Sequence, residues 1–264
     1  MRVGVYQNTE KDERVVAVLS AFKEGLTHLG VDWFEGGSSY RQPCDVAVLW
    51  GIASTQFPHT AYRDMIRMAQ PNTIVLERGF VKREDYFAAG WGDTGGYADF
   101  CNDDSPSDRW DALDIPFTPN REDGEYTLIC GQIPWDTAVQ HIDYPRWLKD
   151  LMATLKKTEI PVRFRNHPLL PQNKRFHFPG VVTSVRSLEE DLAGASQVIA
   201  CNSTTLVDAT LLGIPTISAD PRSMAPPMGF DRTKWACNIA YAQWTLDEFR
   251  RGLAFKHLVK GRGL

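Results

Sequence analysis

Twice along the chain, short and nearly unbroken apolar runs alternate with stretches whose apolar residues recur every three or four positions, a rhythm that few folds satisfy. Met1-Arg2-Val3-Gly4-Val5-Tyr6 predicts a strand, and Glu13 to Leu29, with Val15, Val18, Leu19, Phe22 and Leu26 on one side, predicts a helix. Asp45 to Gly51 predicts a second strand, His59 to Ala69 a second helix and Thr73 to Glu77 a third strand. Strands this continuously apolar are those of a parallel sheet covered on both faces. From Phe80 to about Asn120 the pattern gives way to glycine, aspartate, proline and aromatics, an irregular length that compact domains seldom carry unless it serves a site.

The rhythm then restarts. Tyr126 to Gly131 predicts a strand, Tyr144 to Lys156 a helix, Val162 to Arg165 a strand and Val181 to Thr183 a brief one. Ser187 caps a short helix to Ala193, and Gln197 to Cys201 predicts another strand. A helix from Asn202 to Leu212 is stopped by Gly213, with a strand at Pro215 to Ser218. Thr245 and Glu248 form a capping-box pattern for a helix running towards Lys256. The expectation is an α/β protein of two Rossmann-like lobes facing a cleft, divided as 1–120 and 121–264. The terminal helix is counted with the second lobe, with its return to the first kept open.

With 264 residues, 43% of them hydrophobic, the chain is long enough for two small cores. No apolar run approaches the ~20 residues of a membrane span, and no basic start leads into an apolar signal core, so the expected location is the cytoplasm. Five scattered cysteines lack the paired spacings of zinc or redox motifs and read as buried thiols. A net charge of −4 argues against non-specific nucleic-acid binding and leaves room only for a local basic groove.

The segment Val198-Ile199-Ala200-Cys201-Asn202-Ser203-Thr204-Thr205-Leu206-Val207-Asp208-Ala209-Thr210-Leu211-Leu212-Gly213-Ile214-Pro215 carries the most chemistry. A buried strand hands the chain to a helix whose first turn offers backbone N–H groups and hydroxyls, a setting suited to phosphate, and Asp208 lies where a carboxylate reaches a ribose hydroxyl. The plain alternative is an ordinary capped helix.

Strand, Asn-Ser-Thr, acidic-Ala and Leu-Leu-Gly-x-Pro together resemble the nucleotide-sugar segment of GT-B glycosyltransferases, especially the capsule-polysaccharide transferase group. Arg165-Asn166-His167-Pro168 is similar to that group's His-Pro element, and Gly131-Gln132-Ile133-Pro134-Trp135-Asp136 to the Gly-Gln segment opening its second domain. Trp50-Gly51 and Glu77-Arg78-Gly79-Phe80 resemble first-domain elements. The stretch Gly90 to Phe100 departs from that group and looks more like small phage-encoded glycosyltransferases, some of which modify hydroxymethylated pyrimidines in DNA; a phage origin would make the location the host cytoplasm.

The resemblance implies transfer of a hexosyl or pentosyl group from a nucleotide sugar, UDP-linked by preference, to a hydroxyl. Hydroxymethylated DNA leads as acceptor, with a glycan as alternative and a nucleotide-sugar epimerase as a rival activity. The donor is expected on Gln132, Arg165, His167, Asn202, Ser203, Thr204 and Asp208, and the base among Glu77, Asp93 and Asp136, with Glu77 preferred because it ends an apolar strand. Trp91 and Tyr97 offer faces for the acceptor, and the tail around Arg250, Arg251, Lys256, His257, Lys260 and Arg262 could meet DNA phosphates. No Asp-x-Asp triplet occurs, so no obligatory metal or other cofactor is expected.

Overall fold

The computed structural model describes residues 1–7, 12–158, 160–227 and 229–264. It divides the chain into two compact units, Met1–Leu113 with Thr233–Leu264, and Asp114–Arg232.

The first unit begins with β1 (Arg2–Tyr6), α1 (Glu13–His28), β2 (Asp32–Gly36), β3 (Val46–Trp50), α2 (Tyr62–Ala69), β4 (Thr73–Arg78), β5 (Tyr86–Trp91) and α3 (Asp108–Leu113). The second unit holds β6 (Tyr126–Cys130), α4 (Tyr144–Leu155), β7 (Val162–Arg165), β8 (Val182–Thr183), α5 (Leu188–Ala193), β9 (Ala195–Ala200), α6 (Thr205–Leu211) and β10 (Thr216–Ser218). The chain then passes through α7 (Arg232–Ala240), β11 (Gln243–Thr245), α8 (Leu246–Arg250) and α9 (Leu253–Arg262).

The sheet of the first unit runs β11-β5-β4-β3-β1-β2. β1 to β4 are parallel, β5 is antiparallel to β4, and β11 is antiparallel to β5. Val46, Ala47, Val48 and Leu49 are all buried, which explains the unbroken apolar run. One face packs under α1, α8 and α9 through Val18, Leu19, Phe22, Phe249, Phe255 and Leu258, and the other under α2 through Tyr62 and Ile66.

Two expectations are corrected here. β5 and α3 lie in the stretch read as irregular. β5 escaped notice because its middle, Ala88-Ala89-Gly90, is small: a Cβ on Gly90 would lie 2.8 Å from Ala98 and Phe100, so the segment lying over the strand excludes a bulky side chain at that position. The division at 121–264 also fails beyond Arg232, because β11 extends the first sheet and α8 and α9 fill its core. The Gln243 side chain, fully buried, accepts from the N–H groups of Phe80 (2.8 Å) and Val81 (3.0 Å) and donates to the Val81 carbonyl (3.1 Å). The Thr245–Glu248 capping box forms as expected, but Gly252, at φ +70°, splits the terminal helix into α8 and α9.

The sheet of the second unit, β10-β9-β6-β7-β8, is parallel throughout. Leu128, Val198, Leu206 and Ala209 fill one face, and Ile129, Tyr144, Leu148 and Phe164 the other. β7 and β8 extend to one side of β6, and β9 and β10 to the other. The topological switch point therefore lies between β6 and β9, the place where parallel α/β sheets bind ligands beyond the carboxyl ends of their strands.

Candidate functional site

At this switch point the loop after β6 presents Gln132 and the loop after β9 presents Asn202. Gln132 Nε2 donates to Asn202 Oδ1 (2.7 Å), the Asn202 backbone N–H donates to Gln132 Oε1 (3.0 Å), and Asn202 Nδ2 donates to the Ala138 carbonyl (2.7 Å). The Gln132 N–H donates to the hydroxyl of buried Tyr144 (2.7 Å). The two amides expected on the donor thus spend these groups on each other and shape the rim.

Ser203 and Thr204 follow directly. Ser203 Oγ accepts from the Thr205 N–H (3.2 Å) and its carbonyl accepts from Leu206, while the Thr204 carbonyl accepts from Val207 and Asp208. α6 starts at Thr205, later than expected, so Asn202, Ser203 and Thr204 belong to the turn that leads into it. Asp208 is half-buried within α6.

Arg165, at the end of β7, donates to the fully buried Asp191 carboxylate (3.0 Å) and to the Arg186 carbonyl (2.6 Å). Arg163 joins the same carboxylate (3.4 Å) and lies over the Tyr126 ring. Asp191 therefore offsets part of the positive charge of these two guanidinium groups. His167 follows on the next loop, its Nδ1 accepting from the Leu169 N–H (3.2 Å).

One pair at this edge had no signal in the sequence. His141, from the loop after β6, and Asp220, after β10, meet with Nε2 2.5 Å from Oδ2. Asp220 Oδ1 accepts from the Arg222 N–H (2.6 Å), and the Asp220 N–H donates to the Cys201 carbonyl (3.1 Å). They are 79 positions apart, and only the pairing of β10 and β6 with β9 brings them together. Burial, followed by the charge of Asp220, pushes the Cys201 thiol up to about 12, and burial does the same for Cys130. Both are neutral thiols at physiological pH, which removes thiolate chemistry from this edge.

In the first unit Glu77 sits near the end of β4, where its Oε1 accepts from the Gly95 N–H (2.6 Å) and ties down the Gly95–Tyr97 turn. Asp93 pairs with Arg67 (3.0 Å) and accepts from the Thr94 N–H (2.8 Å). Asp136, in the second unit, is exposed and accepts from the Ala138 N–H (2.9 Å). Each unit is thus left with its own carboxylate candidates.

Trp91 is corrected as an acceptor platform. It is 1% exposed, donates from Nε1 to the Leu258 carbonyl (3.2 Å), and belongs to the core under α9. Tyr97, 46% exposed, does present its ring. In the basic tail Arg250 pairs with Glu24, Arg251 with Asp247 and Arg262 with Asp99. Among the described residues no group of three or more His, Cys, Asp or Glu is placed to hold a metal ion, and no helix is long and apolar enough to cross a membrane.

The two sheets define an α/β protein of two Rossmann-like lobes, the GT-B type of architecture. No protein-family model matches the chain, and no curated protein matches it in sequence. Among solved structures it is similar to the β-Kdo 2,7 transferase of Thermosulfurimonas dismutans KpsC, with TM-score 0.55, 12% identity and coverage of 97% of this chain and 99% of that one. It is similar also to the β-Kdo 2,4 transferase of the same KpsC, with TM-score 0.57, 12% identity and 90% of each chain covered. At that identity the likeness is one of fold.

Proposed function

We propose that this protein is a glycosyltransferase that moves a sugar from a nucleotide sugar to a hydroxyl of a glycan. One observation carries the reading: a fold shared almost end to end with two sugar transferases has, at the switch point of its second sheet, a hydrogen-bonded rim of Gln132 and Asn202 beside the hydroxyls of Ser203 and Thr204. In this reading the donor's phosphate lies against Ser203, Thr204 and the adjacent backbone N–H groups, with His167 close by on its own loop and Asp208 towards the ribose. These donors offset the negative charge that grows on the nucleotide phosphate as the bond to the sugar breaks.

The acceptor hydroxyl needs a base. Glu77 is assigned that role because it is carried on a strand and fixed by the Gly95 N–H, and strands hold a functional group more closely than loops do. Asp93 is neutralised by Arg67, and Asp136 caps its own turn. A glycan is preferred to hydroxymethylated DNA because the features that suggested DNA are engaged within the chain: Trp91 in the core and three tail arginines in ion pairs.

The test is a mass-spectrometric screen of UDP-hexoses, UDP-pentoses and an activated Kdo against oligosaccharides and hydroxymethylated DNA. Transfer to oligosaccharides is the expected result. Transfer to DNA alone, falling steeply with added salt as phosphate contacts require, moves the acceptor, and interconversion of a nucleotide sugar without acceptor moves the activity to an epimerase. Glu77→Gln is expected to lower turnover by about 10²- to 10⁴-fold, the usual share of a general base, with donor affinity unchanged. Near-normal turnover in that variant would transfer the role to Asp136.

A further inference from the structure

Residues 160–188 contain Arg163, Arg165, Lys174, Arg175 and Arg186 and not one aspartate or glutamate, in a chain whose net charge is −4. Arg163 and Arg165 are spent on buried Asp191. Lys174, Arg175 and Arg186 are exposed and, among the described residues, form no ion pair with a carboxylate. The next acids along the chain, Glu189 and Glu190, open α5, where Glu190 accepts from the Ser187 N–H (2.8 Å). The same acid-free stretch leaves two large apolar side chains in water, Leu169 at 77% exposed and Val185 at 97%. Leu170 is 2% exposed, so the loop itself is packed and Leu169 is turned outward from it. One exposed apolar residue is ordinary on a protein surface, but two among unpaired charges of a single sign mark a surface that meets something.

The fold brings these residues to one edge. β7 and β8 are parallel and paired, with Arg163 opposite Val182 and Phe164 opposite Thr183, so the segments that follow them leave at the same carboxyl edge. After β7, Asn166 Nδ2 donates to the Phe176 carbonyl (3.0 Å) and the Phe176 N–H donates to Asn166 Oδ1 (2.9 Å), closing residues 167–175 into a loop that carries Leu169, Lys174 and Arg175. Arg175 Nε steadies that loop by donating to the Leu170 carbonyl (3.5 Å). After β8, Arg165 donates to the Arg186 carbonyl (2.6 Å) and holds Val185 and Arg186 beside the end of β7. β8 is the edge strand, two strand spacings or about 10 Å from β6, so Val185 and Arg186 stand at the rim of the sheet and not at the switch point between β6 and β9.

We propose that this edge docks on an anionic lipid bilayer, with Lys174, Arg175 and Arg186 against the lipid head groups and Leu169 and Val185 entering the boundary between head groups and acyl chains. Binding at a bilayer surface draws on buried apolar area and on attraction between basic residues and anionic lipids, and this edge supplies both. A nucleic acid or an acidic polysaccharide matches the charge but offers no apolar layer to receive Leu169 and Val185. The inference stands apart from the glycosyl-transfer reading, since none of these five side chains is assigned to donor or acceptor.

The experiment measures co-sedimentation of the full chain with vesicles of phosphatidylcholine alone and with vesicles of equal parts phosphatidylcholine and phosphatidylserine, and its binding to heparin, a polyanion without an apolar layer. Binding to the mixed vesicles only, weakening as salt is added, is the expected result. The variant Lys174→Gln, Arg175→Gln, Arg186→Gln should bind the mixed vesicles about 100-fold more weakly, each cation near an anionic surface contributing about a factor of five. The variant Leu169→Ser, Val185→Ser should lose about tenfold or more on vesicles while its binding to heparin stays as in the unaltered protein. Should a combined variant not fold, the single substitutions Val185→Ser and Arg186→Gln decide. No binding to the mixed vesicles, binding unchanged in both variants, or a loss confined to the glutamine variant overturns the proposal, the last in favour of a soluble polyanion. Sugar transfer by a protein that does not bind the vesicles would overturn this inference and leave the glycosyl-transfer reading standing, and vesicle binding by a protein that transfers no sugar would do the reverse.

Discussion

Asn202 makes three hydrogen bonds to Gln132 and Ala138, and two of them come from its side chain. Its replacement by alanine leaves the Nε2 of Gln132, a residue 7% exposed, without this acceptor and the Ala138 carbonyl without this donor. The expected cost is about 2–4 kcal/mol, because an unsatisfied buried group costs ~1–3 kcal/mol. Asn202→Ala should therefore lower the urea midpoint at unchanged slope, and nucleotide affinity should fall with it because the rim loses its shape. The sequence singled out both Gln132 and Asn202 by their motifs. It assigned them to a ligand, because two amides 70 positions apart carry no sign of their mutual pairing. His141 and Asp220 carried no motif at all.

At the scale of elements, α1 and α8 pack so closely that Gly25 has a use the helix by itself would not suggest. Alanine favours a helix interior over glycine by ~1 kcal/mol. A Cβ at Gly25, however, would stand 2.0 Å from the Phe249 carbonyl oxygen and 3.0 Å from the Gly252 nitrogen, both backbone atoms that cannot turn away. Gly25→Ala is expected to destabilise the fold by about 1–3 kcal/mol, the usual range for overpacking, and a midpoint raised above that of the unaltered protein in urea denaturation would contradict the close approach. α1 itself was legible from its apolar stripe, as were the cap at Ser187 and the capping box at Thr245. β11 was not, because three residues are too few to show a period and their register comes from β5.

At the scale of the whole molecule, acid stability follows from the tail that closes the first sheet. Burial holds His257 below its usual 6.5, with its Nε2 beside the Phe100 carbonyl at 2.9 Å. Burial works against ionised Glu248 too, but the Arg109 guanidinium and the Thr245 N–H outweigh it and keep that carboxyl below its usual 4.5. Both native groups bind protons less readily than in the unfolded chain, so their contributions to stability are complete above the unfolded values and are lost as pH falls. Urea midpoints are expected to hold steady above about pH 6.5, to decline first below it through His257, and to decline further below about 4.5 through Glu248. His257→Gln should remove the earlier decline; a profile unchanged by that substitution would refute the assignment. The sequence by itself determined the α/β class and the strands at Val46–Trp50 and Tyr126–Cys130, because runs of buried apolar residues are a property of neighbours along the chain. Only the tertiary structure decided that residues 233–264 join the first sheet, that Trp91 points into a core, and that His141 is held by a buried carboxylate. These outcomes depend on contacts between residues some 80 to 170 positions apart, and no local pattern specifies which of two apolar cores a distant segment will complete.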